Sequence, residues 1–154
     1  MSQSQQRGYG MVIAIIFDGD DQDKISRLVL GMDRSKIPPW YWNFPGGPVR
    51  SEDVVPNRIH DDFEAAGNAV KRIVKKRTGL TVHAQVIQVR WRPNTGDNLY
   101  IFAGVADFNE LVHPTGERVV QVFSADEIKK LDDLFPVHHI AFHQALKWIH
   151  GETE

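Results

Sequence analysis

A continuous apolar run at residues 11–17 constrains the fold of this chain more than any other feature of its sequence. A short apolar run that contains β-branched residues and ends at a turn signal is typical of a buried strand. The run is far shorter than the ~20 residues of a membrane-spanning helix. Acidic residues and a glycine follow it, where a secretion signal would carry small residues for cleavage. The sequence therefore predicts a buried strand, no membrane association and a cytoplasmic location.

Length and charge limit the domain organisation and the class of partner. The 154 residues suit one domain, which we place at residues 9–154 after a polar, flexible tail at residues 1–8. The net charge of −2 disfavours nucleic acid as a partner. The absence of cysteine excludes a disulfide framework, a thiolate metal site and a cysteine nucleophile.

Strands outnumber helices in the sequence pattern and the two do not alternate regularly, which is typical of an α+β fold. Prolines and glycines crowd residues 36–60, which we interpret as a long irregular loop. A capping box formed by Ser124 and Glu127 predicts the start of a short helix. Strands are predicted at residues 11–17, 26–32, 82–91, 99–107 and 118–123, and helices at residues 61–78, after Ser124 and at residues 137–150.

A proline-glycine segment, Trp-Asn-Phe-Pro-Gly-Gly ending at Gly47, precedes the first predicted helix. In that helix seven residues separate Glu64 from Arg72, and Gly79 and Leu80 follow its end. This arrangement resembles the Nudix (MutT-like) superfamily, whose box reads G-x5-E-x7-R-E-U-x-E-E-x-G-U with U apolar. The resemblance covers residues 10–150. It implies an α/β/α sandwich with a mixed β-sheet between helices, and a ligand in which a diphosphate is joined to a nucleoside or a similar group.

The predicted helix departs from the Nudix box at three positions. Where the superfamily has glutamates, this chain has Ile73, Lys76 and Arg77. These positions are spaced i, i+3 and i+4, so they share one helical face, where glutamates would present carboxylates to Mg²⁺. Lysine and arginine offer no lone pairs and repel the ion. The resemblance therefore implies a degenerate box, with metal-dependent pyrophosphohydrolase activity impaired or absent and no cofactor required.

The basic residues of this helix support a first hypothesis, in which the domain binds a nucleotide-like or other phosphorylated ligand without turnover. Lys76 and Arg77 could contact phosphate oxygens directly. A solvated basic face is the alternative interpretation of the same residues. The candidate ligand-binding residues are Trp40, Tyr41, Gly46, Gly47, Arg72, Lys76 and Arg77, of which the two aromatic side chains would stack on a planar group.

A second hypothesis is an active hydrolase of nucleoside diphosphate-linked substrates that holds Mg²⁺ or Mn²⁺ with noncanonical acids. Sixteen residues separate Gly47 from Glu64 where the superfamily has five, so we place an 11-residue insertion there. An insertion could bring replacement carboxylates into the site. The candidate metal ligands are Glu52, Asp53 and Glu64, and the candidate catalytic acids are Glu64 and Glu117.

Two further sets of side chains are interpreted from their positions. The resemblance suggests that Glu64 and Arg72 are a retained polar pair, which either fixes the loop against the helix or contacts metal or ligand. Four histidines of the last helix form a polar rim beside its apolar stripe, and two of them are spaced to share a metal ion. The resemblance also leaves open a homodimer and a protein partner. The histidines are His138, His139, His143 and His150, and the spaced pair is His139 with His143.

Overall fold

Six strands and three helices lie in the part of the chain that the structure, a computed structural model, describes, namely residues 10–19, 27–54, 62–113 and 116–151. None of the described helices is long and apolar enough to cross a membrane. Short 3₁₀ turns lie at Ser51–Asp53 and Phe108–Glu110. The strands are β1 (Met11–Asp18), β2 (Leu28–Asp33), β3 (Gly46–Pro48), β4 (His83–Arg92), β5 (Asp97–Ala106) and β6 (Arg118–Phe123). The helices are α1 (Asp62–Thr78), α2 (Ala125–Lys129) and α3 (Pro136–Ile149).

The strands form one mixed sheet in the order β4-β5-β1-β2-β6, and β3 pairs with β1 beside this path. The central pair, β1 and β5, is parallel and runs in register from Met11 with Leu99 to Asp18 with Ala106. The β1–β2, β1–β3, β2–β6 and β4–β5 pairs are antiparallel. The mixed sheet and the α+β class are therefore confirmed.

Helices cover both faces of the sheet because the side chains of β1 alternate between the faces. Val12 and Ile16 pack in one buried cluster with the apolar face of α1. Ile13 and Phe17 pack in a second buried cluster with α2 and α3. The resulting architecture is an α/β/α sandwich, as the resemblance implied. The buried residues of α1 recur at helical spacing and are Ala65, Ala66, Ala69, Val70, Ile73 and Val74.

The predicted elements are confirmed with bounds that differ by at most two residues. The loop prediction at residues 36–60 is wrong in one part, because Gly46–Pro48 pairs with β1. A strand of three residues is too short to show periodicity, and its glycines indicate a turn. A Cβ on Gly46 would lie 2.6 Å from the carbonyl oxygen of Val12, so this close approach requires glycine. The predicted tail and residues 55–60 of the loop lie outside the described residues.

The predicted capping box at the start of α2 is confirmed. Ser124 Oγ accepts a hydrogen bond from the backbone N–H of Glu127 at 3.1 Å. In return, Glu127 Oε1 accepts one from the backbone N–H of Ser124 at 2.8 Å. The two residues thus satisfy two backbone donors that the first turn of a helix leaves free.

Candidate functional site

A cavity of about 570 Å³ lies at the edge of the sheet where β1, β5 and β6 begin and where β2 and β4 end. The last turn of α1 and the first turn of α3 complete its walls. Apolar side chains and the chain at residues 43–48 form most of the lining. The cavity brings together Gly46, Gly47 and Arg77, which are three of the predicted ligand-binding residues.

Arg77 places a positive charge in this cavity from the last turn of α1. Its Nη2 atom lies 3.8 Å from the position that a Cβ on Gly47 would occupy. Its guanidinium makes no hydrogen bond and no ion pair with any of the described residues. Burial first, and the positive charge of Arg118 second, lower the pKa of Arg77. A guanidinium nevertheless stays protonated at physiological pH, so the charge is permanent.

The other two arginines of the lining are paired with carboxylates. Arg92 donates to both carboxylate oxygens of Asp97 at 2.7 Å. Arg118 lies 3.6 Å from Asp33, which is the one carboxylate among the described residues of the lining. Arg77 is therefore the lining cation that is most available to a ligand.

An ion pair ties the end of the glycine segment to α1. Arg72 Nε and Nη2 donate to the two carboxylate oxygens of Asp53 at 3.0 and 2.9 Å, and Nη2 also donates to the carbonyl of Pro48 at 3.0 Å. The backbone N–H of Arg50 donates to the same carboxylate at 2.8 Å. Burial opposes the charge on Asp53, but these hydrogen bonds outweigh it and lower its pKa. The pair holds the chain beside the cavity in one position.

His138 is a part of the cavity wall, although we predicted it on a polar rim. Its side chain is only 7% exposed, and its Nδ1 accepts a hydrogen bond from the backbone N–H of Phe44 at 2.9 Å. Because Nδ1 is the acceptor, the proton of the neutral ring is on Nε2. Burial first, and the neighbouring His139 second, lower the pKa of His138 to about 4. His138 is spaced so that it shares one helical face with Ala141, Phe142 and Ala145, the other buried residues of α3. This spacing could have revealed that its side chain is buried.

Acidification should destabilise the fold through His138. In the unfolded chain His138 takes up a proton near pH 6.5, but in the folded chain only near pH 4. The contribution of the neutral ring to folding stability is therefore complete above pH 6.5 and is lost as the pH falls toward 4. We expect the free energy of unfolding to be about 2 kcal/mol lower at pH 5 than at pH 7. Denaturant titrations at the two pH values measure the difference. His138→Asn keeps an acceptor for Phe44 without titrating, and an undiminished pH dependence in this variant would contradict the assignment.

Solved structures of other proteins share the fold of this chain, although comparisons of its sequence find no match. No protein-family model matches the sequence, and no curated protein matches it. The structure matches the NUDIX domain of Shewanella oneidensis NrtR complexed with ADP ribose, at a TM-score of 0.65 and 14% identity over 90% of this chain and 86% of that chain. A NUDIX-family hydrolase from Clostridium perfringens matches at 0.64 and 13% identity, over 93% and 98% of the two chains. A NUDIX hydrolase from Nitrosomonas europaea matches at 0.64 and 18%, over 93% and 74%. The chain has the Nudix fold.

The acid that pairs with Arg72 differs from the one predicted from the Nudix box. The partner is Asp53 and not Glu64, which lies eight residues earlier on the same helix, about 12 Å along its axis. Five residues separate Gly47 from Asp53, the spacing of the box, so counting from the glycine could have found the pair. Eighteen residues then separate Asp53 from Arg72 in place of seven. The 11-residue insertion of this Nudix fold therefore follows Asp53.

The residues at the positions where the Nudix resemblance implies metal ligands do not fit a divalent cation. Ile73 is buried in the core, Lys76 is exposed to solvent and Arg77 lines the cavity. None of them supplies the oxygen ligands that Mg²⁺ requires. Across the described ranges, no three histidine or acidic side chains are grouped so that they could hold a metal ion. Two acids of the predicted insertion, Asp61 and the side chain of Asp62, lie outside the described residues.

Several other predicted residues lie outside the cavity lining. The indole Nε1 of Trp40 donates to a backbone carbonyl four residues earlier at 2.8 Å. Tyr41 packs edge-on against Phe135, which lines the cavity, with ring centroids 5.8 Å apart. Glu52 and Glu117 are exposed. Tyr41 is also tied to the cavity wall through its backbone carbonyl, which accepts a hydrogen bond from the side chain of Asn43, a lining residue, at 2.9 Å.

Proposed function

We propose that the cavity binds a phosphorylated, nucleotide-like ligand through Arg77, and that metal-dependent pyrophosphohydrolase activity is impaired or absent. One observation carries this proposal, namely a guanidinium that lines a largely apolar cavity and makes no hydrogen bond or ion pair with the described residues, the charge of Asp33 acting on it only from a distance. A charge that is partly removed from water is stabilised by a partner that offers opposite charge and hydrogen-bond acceptors. A phosphate group offers both, and its oxygens match the fork of a guanidinium.

The charge around Arg77 favours an anion with more than one negative charge. Arg118 lines the same cavity and is close enough for its charge to lower the pKa of Arg77. The charge of Asp33 offsets that of Arg118 only partly, because their nearest N and O atoms are 3.6 Å apart and the side chain of Arg118 is 48% exposed. A diphosphate would relieve the repulsion between the two guanidinium groups more fully than a single carboxylate would.

The fold neighbours support the same chemical class. The NrtR domain that matches this chain is complexed with ADP ribose, which contains a diphosphate between two riboses. That ligand belongs to the neighbour, and the low identity of 14% carries over the fold alone. For this chain the ligand class rests on the cations of its own cavity.

The residues of α1 argue against turnover. In metal-assisted hydrolysis the ion clamps the phosphates and helps to generate the attacking water. Arg77 can balance the charge of a diphosphate, but a guanidinium has no lone pair with which to bind or activate water. Ile73 and Lys76 cannot replace the missing carboxylates. We therefore expect binding without hydrolysis.

An active hydrolase that uses noncanonical acids with Mg²⁺ or Mn²⁺ is the alternative. The NUDIX hydrolases with the same fold favour it. Within the described residues Asp53 is held by Arg72, so its carboxylate is already engaged. The metal ligands would have to include acids such as Asp61, which lies outside the described residues.

A thermal-shift and phosphate-release panel separates the two functions. The compounds are ADP ribose, ADP and inorganic pyrophosphate, each measured in EDTA, in Mg²⁺ and in Mn²⁺. Hydrolysis of the diphosphate in ADP ribose gives AMP and ribose 5-phosphate, so release is followed by ³¹P NMR as the appearance of phosphomonoester or inorganic phosphate. We expect stabilisation of the fold in EDTA and no release of either product in any condition. Metal-dependent release would establish the hydrolase and remove the present proposal. A panel without stabilisation and without release would remove the phosphorylated-ligand class altogether.

Location and macromolecular partners stay predictions from the sequence. We propose a cytoplasmic protein, with a homodimer or a complex with a protein partner as further states of the same domain. Size-exclusion chromatography with light scattering measures the oligomeric state directly.

A further inference from the structure

One polar atom of the cavity wall has no role in the anion site proposed above. His138 Nδ1 is occupied by the backbone N–H of Phe44, so the Nε2–H group points from the opposite side of the ring. Within the described part of the chain no hydrogen bond is made by Nε2. Among the described residues, Gln88 Oε1 is the one side-chain N or O atom that is fully buried and has no hydrogen-bond partner. His138 Nε2 also has no partner there but does not belong to this class, so it is accessible to solvent. His138 is a lining residue of the cavity, and its Nε2–H donor has no partner among the described residues.

The ring of His138 is fixed by its surroundings. It stacks on Phe44 with an interplanar angle of 5° and centroids 5.9 Å apart, and it meets the ring of Phe135 at 88° and 6.1 Å. All three residues belong to the cavity lining. The lowered pKa keeps the imidazole neutral at physiological pH. A rigid, uncharged donor beside aromatic rings suits an uncharged acceptor on a planar group, since planar rings stack favourably on aromatic surfaces.

His138 and Arg77 line the same cavity and contact neighbouring positions of one backbone segment. His138 contacts Phe44, and Arg77 lies beside Gly47, three residues further along the same segment. Three residues of extended chain span at most about 11 Å, which limits the separation of the two backbone positions that these side chains contact. A nucleoside diphosphate carries its ring and its phosphates at opposite ends of a sugar, so one such ligand in the cavity can face both residues, which line it together.

We infer that His138 is a specificity-determining residue of the cavity, whose Nε2–H donates a hydrogen bond to an uncharged acceptor atom at the edge of a planar ring, while Arg77 holds the phosphates of the same ligand. The inference rests on the proposed phosphorylated-ligand function and narrows its substrate class. The cavity would prefer a diphosphate that carries a heterocyclic ring over a diphosphate alone. It would also favour rings with a carbonyl oxygen or an unprotonated ring nitrogen at the edge.

The test compares two probes, ADP ribose and inorganic pyrophosphate, by calorimetric titration in EDTA. In His138→Asn the side-chain oxygen can still accept from Phe44 N–H, but no group replaces the Nε2–H donor. We expect this variant to bind ADP ribose about 3- to 10-fold more weakly than the wild type, the effect of one neutral hydrogen bond. Its affinity for pyrophosphate should stay within about 2-fold. His143→Asn, the same change at an exposed position of α3, is the matched control for both probes.

The outcomes separate this inference from the function on which it rests. Unchanged ADP ribose affinity in His138→Asn, or an equal loss for both probes, overturns the role of His138 and leaves the anion site standing. A wild type that binds pyrophosphate but not ADP ribose also overturns the role of His138 and leaves the anion site standing. A wild type that binds neither probe overturns both proposals.

A measurement on the wild type keeps the inference testable if the variant does not fold. The ¹H–¹⁵N signal of His138 Nε2–H should shift when ADP ribose is added and should stay in place when pyrophosphate is added. A signal that ignores ADP ribose under saturating conditions contradicts the hydrogen bond. The signal also reports whether the proton is on Nε2, as the Phe44 contact requires.

Discussion

Replacing Asp53 with asparagine should lower the free energy of unfolding by about 3 kcal/mol. The carboxylate of Asp53 is 4% exposed, and the side chain of Arg72 is 24% exposed, so the pair is largely removed from water. The substitution keeps the shape of the side chain but leaves the partly buried charge of Arg72 without its carboxylate partner. Breaking a buried pair costs more than such a pair contributes, because the remaining charge must be desolvated without a partner. The partial exposure of Arg72 places the effect at the lower end of the usual range.

Chemical denaturation of Asp53→Asn measures this effect, and the adjacent acid provides the control. Glu52 is 60% exposed and lies 3.7 Å from Arg50, so Glu52→Gln should change stability by less than about 0.5 kcal/mol. The double variant with Arg72→Met removes both charges and should recover part of the loss. Equal effects of the two single substitutions would contradict the assignment of Asp53 as the partner of Arg72.

Replacing Arg77 with glutamine should weaken the binding of inorganic pyrophosphate by about 10- to 100-fold. This range corresponds to the loss of a hydrogen bond between a charged donor and a charged acceptor. Arg77→Glu should weaken binding by more than about 100-fold, because it places a like charge beside the phosphates. The guanidinium makes no hydrogen bond or ion pair with the described residues, so the effect should come from lost contact with the ligand.

Lys76 provides a matched control for this prediction, since it is the neighbouring cation on α1 and is exposed outside the lining. Calorimetric titrations of Arg77→Gln and Lys76→Gln should differ, with the second within about 2-fold of the wild type. Both variants should unfold as the wild type does, which a denaturant titration confirms. Equal weakening by both substitutions would indicate a diffuse basic surface, the alternative interpretation of this helix.

The layers of the fold could be predicted because they depend on local patterns. The apolar run at residues 11–17 became the central strand β1, and Ser124 capped α2 as its spacing with Glu127 indicated. The apolar run and the capping box are formed by residues that are close in the sequence, so both can be recognised in one sequence alone. The three-residue strand Gly46–Pro48 was missed because its pairing with β1 is a long-range contact that leaves no local pattern.

The site was less predictable because two of its features depend on tertiary contacts. The spacing of Glu64 and Arg72 satisfies the Nudix box by sequence alone, but the insertion after Asp53 shifts the true partner. The predicted helical face of Ile73, Lys76 and Arg77 is divided in the structure among core, solvent and cavity. Adjacent helical residues point about 100° apart, so a boundary between solvent and cavity can fall between them.

One titration tests the central claim, that cations of the chain replace metal in holding the phosphates. ADP ribose is titrated calorimetrically into the wild-type protein, first in EDTA and then in millimolar Mg²⁺. Because Mg²⁺ competes with Arg77 for the phosphate oxygens, we expect binding in EDTA and an equal or lower affinity when the ion is present. Binding that requires Mg²⁺, or that strengthens about 10-fold or more with it, would contradict the claim and place a metal site in this Nudix fold.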